Sequence, residues 1–284
     1  MIIYDFLIKP FVEYDFLSRS LILGVINAIG LSPVGVFLVN KRMSLIGDSF
    51  SHAILPGVAI CYLFFGFNYQ MMILGGVAAA FVLSLIFVFL SKTESGEEDF
   101  HLAVIFVLSL ALGVYLISIG KNKIDLYHIL FGSILSSNNE NIFFVACSSA
   151  FTLIQLLLFR RLIIFESVDY EYLNNRGFNT KIIRFIFFFT VYQNLVFTFV
   201  NLGTLLGFGF LIIPQAIARL FSRSLLKQSL ISFIFSIVGL YIGILFSFHY
   251  SGPIGSSIIL CLGIIFIIIF LVQKFFSSKG VLNA

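Results

Sequence analysis

The sequence predicts an all-α protein that passes repeatedly through a membrane. Three observations carry that expectation. Of the 284 residues, 60% are hydrophobic and only 11% are charged, more apolar surface than a soluble chain of this length can bury. The charges fall in short clusters rather than along amphipathic faces. Between the clusters lie apolar stretches of about 17–25 residues, the length a helix needs to cross a bilayer.

Taken in order, residues 1–17 carry Asp5, Lys9, Pro10, Glu13 and Asp15 ahead of the first long apolar run. They read as an amphipathic, interfacial lead-in, and without a small-residue cleavage pattern no cleavable signal peptide is expected. A single transmembrane domain spans 18–273. Its apolar runs lie near 18–39, 45–66, 71–90, 101–119, 141–159, 184–200, 204–221, 229–248 and 255–273, giving eight or nine crossings. The sixth and seventh runs nearly fuse at Asn201–Gly203. His128–Leu135 reads as a short interfacial or re-entrant helix. The longest polar interruption, 160–184, is too short for a second domain and reads as a cytoplasmic loop, with a cytoplasmic tail at 274–284.

Basic residues set the orientation. With Lys41 and Arg42 inside, alternation also puts Lys92, the 160–184 loop, Arg219 to Lys227 and the tail inside. That places 13 of the 17 Lys and Arg on the cytoplasmic side. With nine crossings the N-terminus faces outward.

The same composition excludes several functions. The net charge of +4 sits at span ends, with no basic run suited to nucleic acid. Cys61, Cys147 and Cys261 lack CxxC spacing and read as buried small hydrophobes. Gly120-Lys121 lacks the GxxxxGK[ST] surroundings of a phosphate-binding loop, so any ATP must be bound by another polypeptide. No GxSxG or HExxH arrangement points to an enzyme.

The residues with chemistry are concentrated in MSLIGDSFSHAILPGVAI, residues 43–60. Asp48 and His52 stand at i and i+4, on one face of a helix. An aspartate at a helix centre in hydrocarbon costs about 2.5–3.5 kcal/mol, so such a pair calls for a use. Carboxylate plus imidazole suits a divalent transition metal. The structural alternative is a helix cap at Asp48 and an interhelical hydrogen bond at His52. Burial of both types in an otherwise apolar run favours ligands. Pro56 deprives the His52 carbonyl of its helical partner, so a bend is expected there, and Pro214 marks a second expected bend. One helix supplies too few ligands, whereas a two-fold dimer would present two pairs.

Other polar features are weaker. Asp125, His128 and His249 fall on the assigned outer side as candidates for a loose metal-access site. His101, after Glu97-Glu98-Asp99, reads as part of a solvated helix start. Gln193, Asn194, Thr198 and Asn201 form a stripe that interhelical hydrogen bonds explain, with a hydrated pathway as the other reading. The 160–184 loop contains a short helical core around Asp169–Leu173 and a helix stop at Gly177. It reads as an ordinary solvated loop or as a lever for a partner.

Two long blocks then resemble one family. GVFLVNKRMSLIGDSFSHAILPGVA and GTLLGFGFLIIPQAIARLFSR are similar to sequences of the permease subunits of zinc/manganese/iron ABC importers (ABC-3 type), with weaker echoes in DLYHILFG and VDYEYLNNRG. The resemblance covers about residues 18–270. It implies the fold of vitamin B12- and siderophore-type importer permeases, in a bacterial cytoplasmic membrane. It further implies a homodimer, a cytoplasmic ATPase, an extracytoplasmic metal-binding protein, and zinc, manganese or iron as cargo, with no permanent cofactor. By the same resemblance Asp48 and His52 take part in metal passage, while Asp169, Glu171, Tyr172, Leu173 and Gly177 couple to the ATPase. Asn40, Lys41, Gln215 and the GPIGSS segment depart from the family pattern, which bears on ion selectivity. The alternative function is a secondary metal/proton antiporter using the same Asp/His pair as a proton relay.

Overall fold

The computed structural model describes residues 2–41, 43, 53–66, 68–90, 98–119 and 139–281. Among them, every regular element is a helix: α1 (Ile2–Leu7), α2 (Lys9–Glu13), α3 (Asp15–Asn40), α4 (Leu55–Phe65), α5 (Tyr69–Leu90), α6 (Glu98–Ile119), α7 (Asn139–Val168), α8 (Tyr170–Asn175), α9 (Thr180–Leu202), α10 (Thr204–Phe221), α11 (Leu225–Tyr250) and α12 (Ile254–Val281). Each apolar run in the sequence has a helix as its counterpart. Seven of the described helices are long and apolar enough to cross a membrane, fewer than the eight or nine expected. The shortfall is at α4, whose 11 residues span only about 16 Å at 1.5 Å per residue, and at α6, whose apolar stretch is Val104–Ile119.

Two boundaries differ from the sequence reading. Within the expected helix over 45–66, of which 45–52 lie outside the described residues, Ile54 is a turn, and α4 begins at Leu55 and takes Pro56 in its first turn. In that turn the missing N–H costs no bond within α4, and the expected bend concerns the His52 carbonyl, which lies outside the described residues. The expected 160–184 loop is helical through Val168, because Arg160 to Val168 contains no glycine or proline to stop α7. Between α9 and α10 the nearly fused runs do separate, at Gly203 with φ +85°.

The core is organised around α9, which packs against α3, α5, α7 and α10. Two-thirds of its apolar window is buried, against 17% for α12. On α12, Leu260, Ile264, Ile267 and Leu271 remain exposed and are left for lipid to cover. In lipid, apolar side chains gain little by leaving their surroundings, so helix contact depends on close backbone approach. α4 and α5 achieve it through Gly57 and Gly75. A β-carbon on either would run into the other's backbone carbonyl.

Side-chain contacts identify the two ends of the bundle. At one end Asn40 donates to Gln228 at 2.6 Å, Arg219 donates to the Val39 carbonyl at 3.0 Å, and Lys41 meets Glu166. At the other, Tyr241 donates to the Leu7 carbonyl at 2.9 Å and Tyr69 to Asn201 at 3.0 Å. The segments that the basic-residue pattern assigns to the cytoplasm at Lys41, Arg184 and Arg219 therefore gather at one end, and the N-terminal helices dock at the opposite one.

Candidate functional site

The most completely built polar site lies at the basic end, where α7 hands over to α8. Glu166 is 6% exposed in the last turn of α7. One carboxylate oxygen accepts from Lys41 Nζ at 2.7 Å, and the other accepts from Arg184 Nε. Lys41 also lies 4.5 Å from the centroid of the Phe187 ring. One carboxylate thus ties the end of α3 to the start of α9, four residues before α8 begins. Charge-assisted bonds at low exposure are stronger than ordinary ones, and their geometry holds the end of α7 in place.

α8 is short and closed at both ends. Asp169 accepts from the Tyr172 backbone N–H at 2.9 Å, as an N-cap does. At the other end the Phe178 N–H donates to the Leu173 carbonyl at 3.1 Å and the Gly177 N–H to Asn174 at 3.0 Å. That pair of bonds is a Schellman stop, and it needs the left-handed φ of +82° that Gly177 supplies. Leu173 is buried against the bundle, while Tyr172 is exposed with the Arg176 guanidinium 5.1 Å from its ring. Val168, Phe165 and Phe178 are exposed around it. The result is a rigid apolar knob anchored by one leucine and one buried ion cluster.

Within the bundle, the polar stripe of α9 is satisfied between helices. Gln193 donates to Thr152 at 3.2 Å and to Gln155 at 3.1 Å, and Asn194 donates to Thr152 at 2.6 Å. Thr198 donates to Asn27 at 3.1 Å and Tyr69 reaches Asn201. The hydrogen-bond reading of the stripe therefore fits.

Asp48 and His52 lie outside the described residues, as do Asp125 and His128. The chain is described again from Ala53, where Ala53, Ile54 and Leu55 are all buried, with Ile54 against Gly76 and Leu55 against Gly113. His249 stacks on the Phe6 ring at 3.9 Å between centroids and lies 3.2 Å from the Phe6 carbonyl. It docks the N-terminal helix. Pro214 sits inside α10, which runs on past it to Phe221. Glu171 lies within α8. Among the described residues no group of three or more His, Cys, Asp or Glu could hold a metal.

The departures from the family pattern have structural partners. Asn40 bonds Gln228 and Lys41 bonds Glu166. Gln215 reaches the Leu31 carbonyl at 3.4 Å in the space left by the missing side chain of Gly35. The residue that the sequence reading missed is Glu166. Its only signal is an acid set among Arg160, Arg161 and Arg184, which also describes an ordinary solvated loop.

Set beside known families, the chain matches the ABC 3 transport family over residues 13–273. It belongs to that family. MntC of Listeria monocytogenes, a manganese transport system membrane protein, is 30% identical over 264 residues, covering 93% of both chains. ZnuB of Haemophilus influenzae, a membrane protein of a high-affinity zinc uptake system, is 28% identical over 90% of this chain and 97% of its own. Among solved structures, PsaBC from Streptococcus pneumoniae in complex with Fab superimposes with a TM-score of 0.82 at 27% identity, covering 98% of this chain and 99% of that one. This ABC 3 family member is a multi-pass protein of the bacterial cytoplasmic membrane, a transporter's permease component rather than an enzyme.

Proposed function

We propose that the chain carries a divalent transition metal ion into the cytoplasm, as a homodimer driven by a separate ATPase. The cargo is manganese or zinc, with iron as a third candidate. The names of its relatives favour manganese and zinc, and carboxylate with imidazole is a donor set that suits all three ions. Asp48 and His52 of two copies replace part of the ion's hydration shell on the dimer axis. Ala53 and Ile54, immediately before α4, are buried inside the bundle.

The observation that carries the reading is α8. In a chain of this family, a knob capped by Asp169 and stopped at Gly177 protrudes at the end where the basic residues gather. A cytoplasmic ATPase that grips Tyr172 and its neighbours moves α7 and α9 together, because Glu166 bonds both Lys41 and Arg184. An extracytoplasmic binding protein delivers the ion at the opposite end, and nucleotide biases the dimer between its two openings.

The test is uptake of manganese-54 or zinc-65 by sealed proteoliposomes containing this chain, with and without its ATPase partner. Uptake that requires both the partner and ATP is the expected result. Uptake driven by a pH gradient in their absence would establish the antiporter instead.

A further inference from the structure

A cavity of about 780 Å³ opens on the flank of the bundle between α3, α7 and α11. Its walls are apolar, with Leu156 buried and Ile29, Leu153 and Leu157 exposed along them. Arg160 and Arg161 lie at the end nearest the ion cluster. From Ile29 to Phe37 along α3 the groove runs eight residues, about 12 Å at 1.5 Å per residue. One bilayer leaflet has a hydrocarbon depth of about 15 Å, half the usual core. Phe37, Ile164 and Leu225 also line a second cavity of about 470 Å³, which contains Lys41, Glu166 and Arg184. The two spaces therefore adjoin, an apolar slot leading to a charged chamber.

The charge balance of this pair of cavities is one-sided. Among the described residues, their lining includes four basic side chains and one acidic one. That acid, Glu166, has both oxygens engaged by Lys41 and Arg184. Arg160 and Arg161 are exposed at the mouth of the slot.

We propose that this groove is a binding site for one anionic phospholipid, with the acyl chains between α3, α7 and α11 and the phosphate held by Arg160 and Arg161. A lipid fits better than a protein segment because the site joins leaflet-deep apolar walls to a positive rim at one end only. Neutral lipid fills the slot equally well but leaves the rim without a counter-charge, so selectivity resides in the arginines. Seated there, the lipid contacts α7 within one turn of Ile164 and Glu166, just before α8.

The experiment is native mass spectrometry of the full chain in detergent, titrated separately with dioleoyl phosphatidylglycerol and dioleoyl phosphatidylcholine. One phosphatidylglycerol per chain is expected to bind more tightly than phosphatidylcholine. Affinity should fall about fivefold for each of Arg160→Gln and Arg161→Gln, the effect of one basic side chain near an anionic surface. Leu157→Trp, which narrows the slot at an exposed position, should weaken both lipids. Equal binding of the two lipids, or unchanged selectivity in the double arginine variant, overturns the proposal. So does efficient disulfide cross-linking of two chains between cysteines placed at 157 and 226, because a second copy would then occupy the groove. The readout involves no transport, so its failure is separate from any failure of metal import.

Discussion

Glu166→Gln is the most informative single change at the basic end of the bundle. Two unit charges about 4 Å apart attract by about 4 kcal/mol at an effective dielectric of about 20. The substitution removes two such attractions and leaves Lys41 and Arg184 facing each other. The side chains of Lys41 and Arg184 are 12% and 25% exposed, so water recovers part of the loss. The net cost is about 3 kcal/mol, the low end for breaking a buried ion pair. At about 2 °C per kcal/mol, the unfolding midpoint should fall by about 6 °C. Lys41→Gln is expected to cost less, about 1 kcal/mol, because Glu166 keeps its bond to Arg184. Thermal unfolding of the purified chain in nanodiscs, followed by dye labelling of the free cysteines Cys61 and Cys261, measures both. With the ATPase partner present, Glu166→Gln should retain ATP hydrolysis while moving less metal per ATP. Wild-type stability in Glu166→Gln, or a larger loss in Lys41→Gln, would refute the tie between α3, α7 and α9.

Four further substitutions test other parts of the structure. Thr152→Val removes the acceptor of both Gln193 and Asn194. At about 0.6 kcal/mol for an average bond within a membrane, it should destabilise by about 1 kcal/mol in detergent unfolding, and a neutral outcome would mean that water replaces the hydroxyl. Gly57→Ala drives a methyl into the Gly75 backbone and should cost about 1–3 kcal/mol. Gly263→Ala, with nothing within 4 Å, should be silent in the same assay, and equal effects would discount the close approach. Gly177→Ala meets no neighbour but forces alanine to φ +82°, costing about 1–2 kcal/mol. Hydrogen exchange at the Phe178 amide should quicken, and unchanged protection would dismiss the helix stop.

How much of this was legible in the sequence depended on the range of the interaction involved. Local rules sufficed for the apolar helices, for the break at Asn201–Gly203, for the short helix around Asp169–Leu173 and for the stop at Gly177, because each depends on neighbours in the chain. Long-range partners were hidden. Glu166 reads as solvated until α3 brings Lys41 to it across 125 residues, and Thr152 reads as a single hydroxyl until Asn194 arrives from 42 residues away. Charge was also misleading. Arg160, Arg161 and Glu166 suggested a loop after residue 159, yet without a glycine or proline the helix had no reason to end. Over 45–66 uniform hydropathy concealed the turn at Ile54 and the new start at Leu55, with Pro56 in the first turn of α4.

The measurement that tests the account's central claim most directly is ATP-driven manganese uptake into proteoliposomes by the complete transporter bearing Asp48→Ala or His52→Ala in this chain. Each variant is expected to assemble with the ATPase and reach the membrane as the wild type does, yet move almost no metal. Wild-type uptake by both variants would contradict it, because the ion would then be crossing without the carboxylate and the imidazole assigned to hold it.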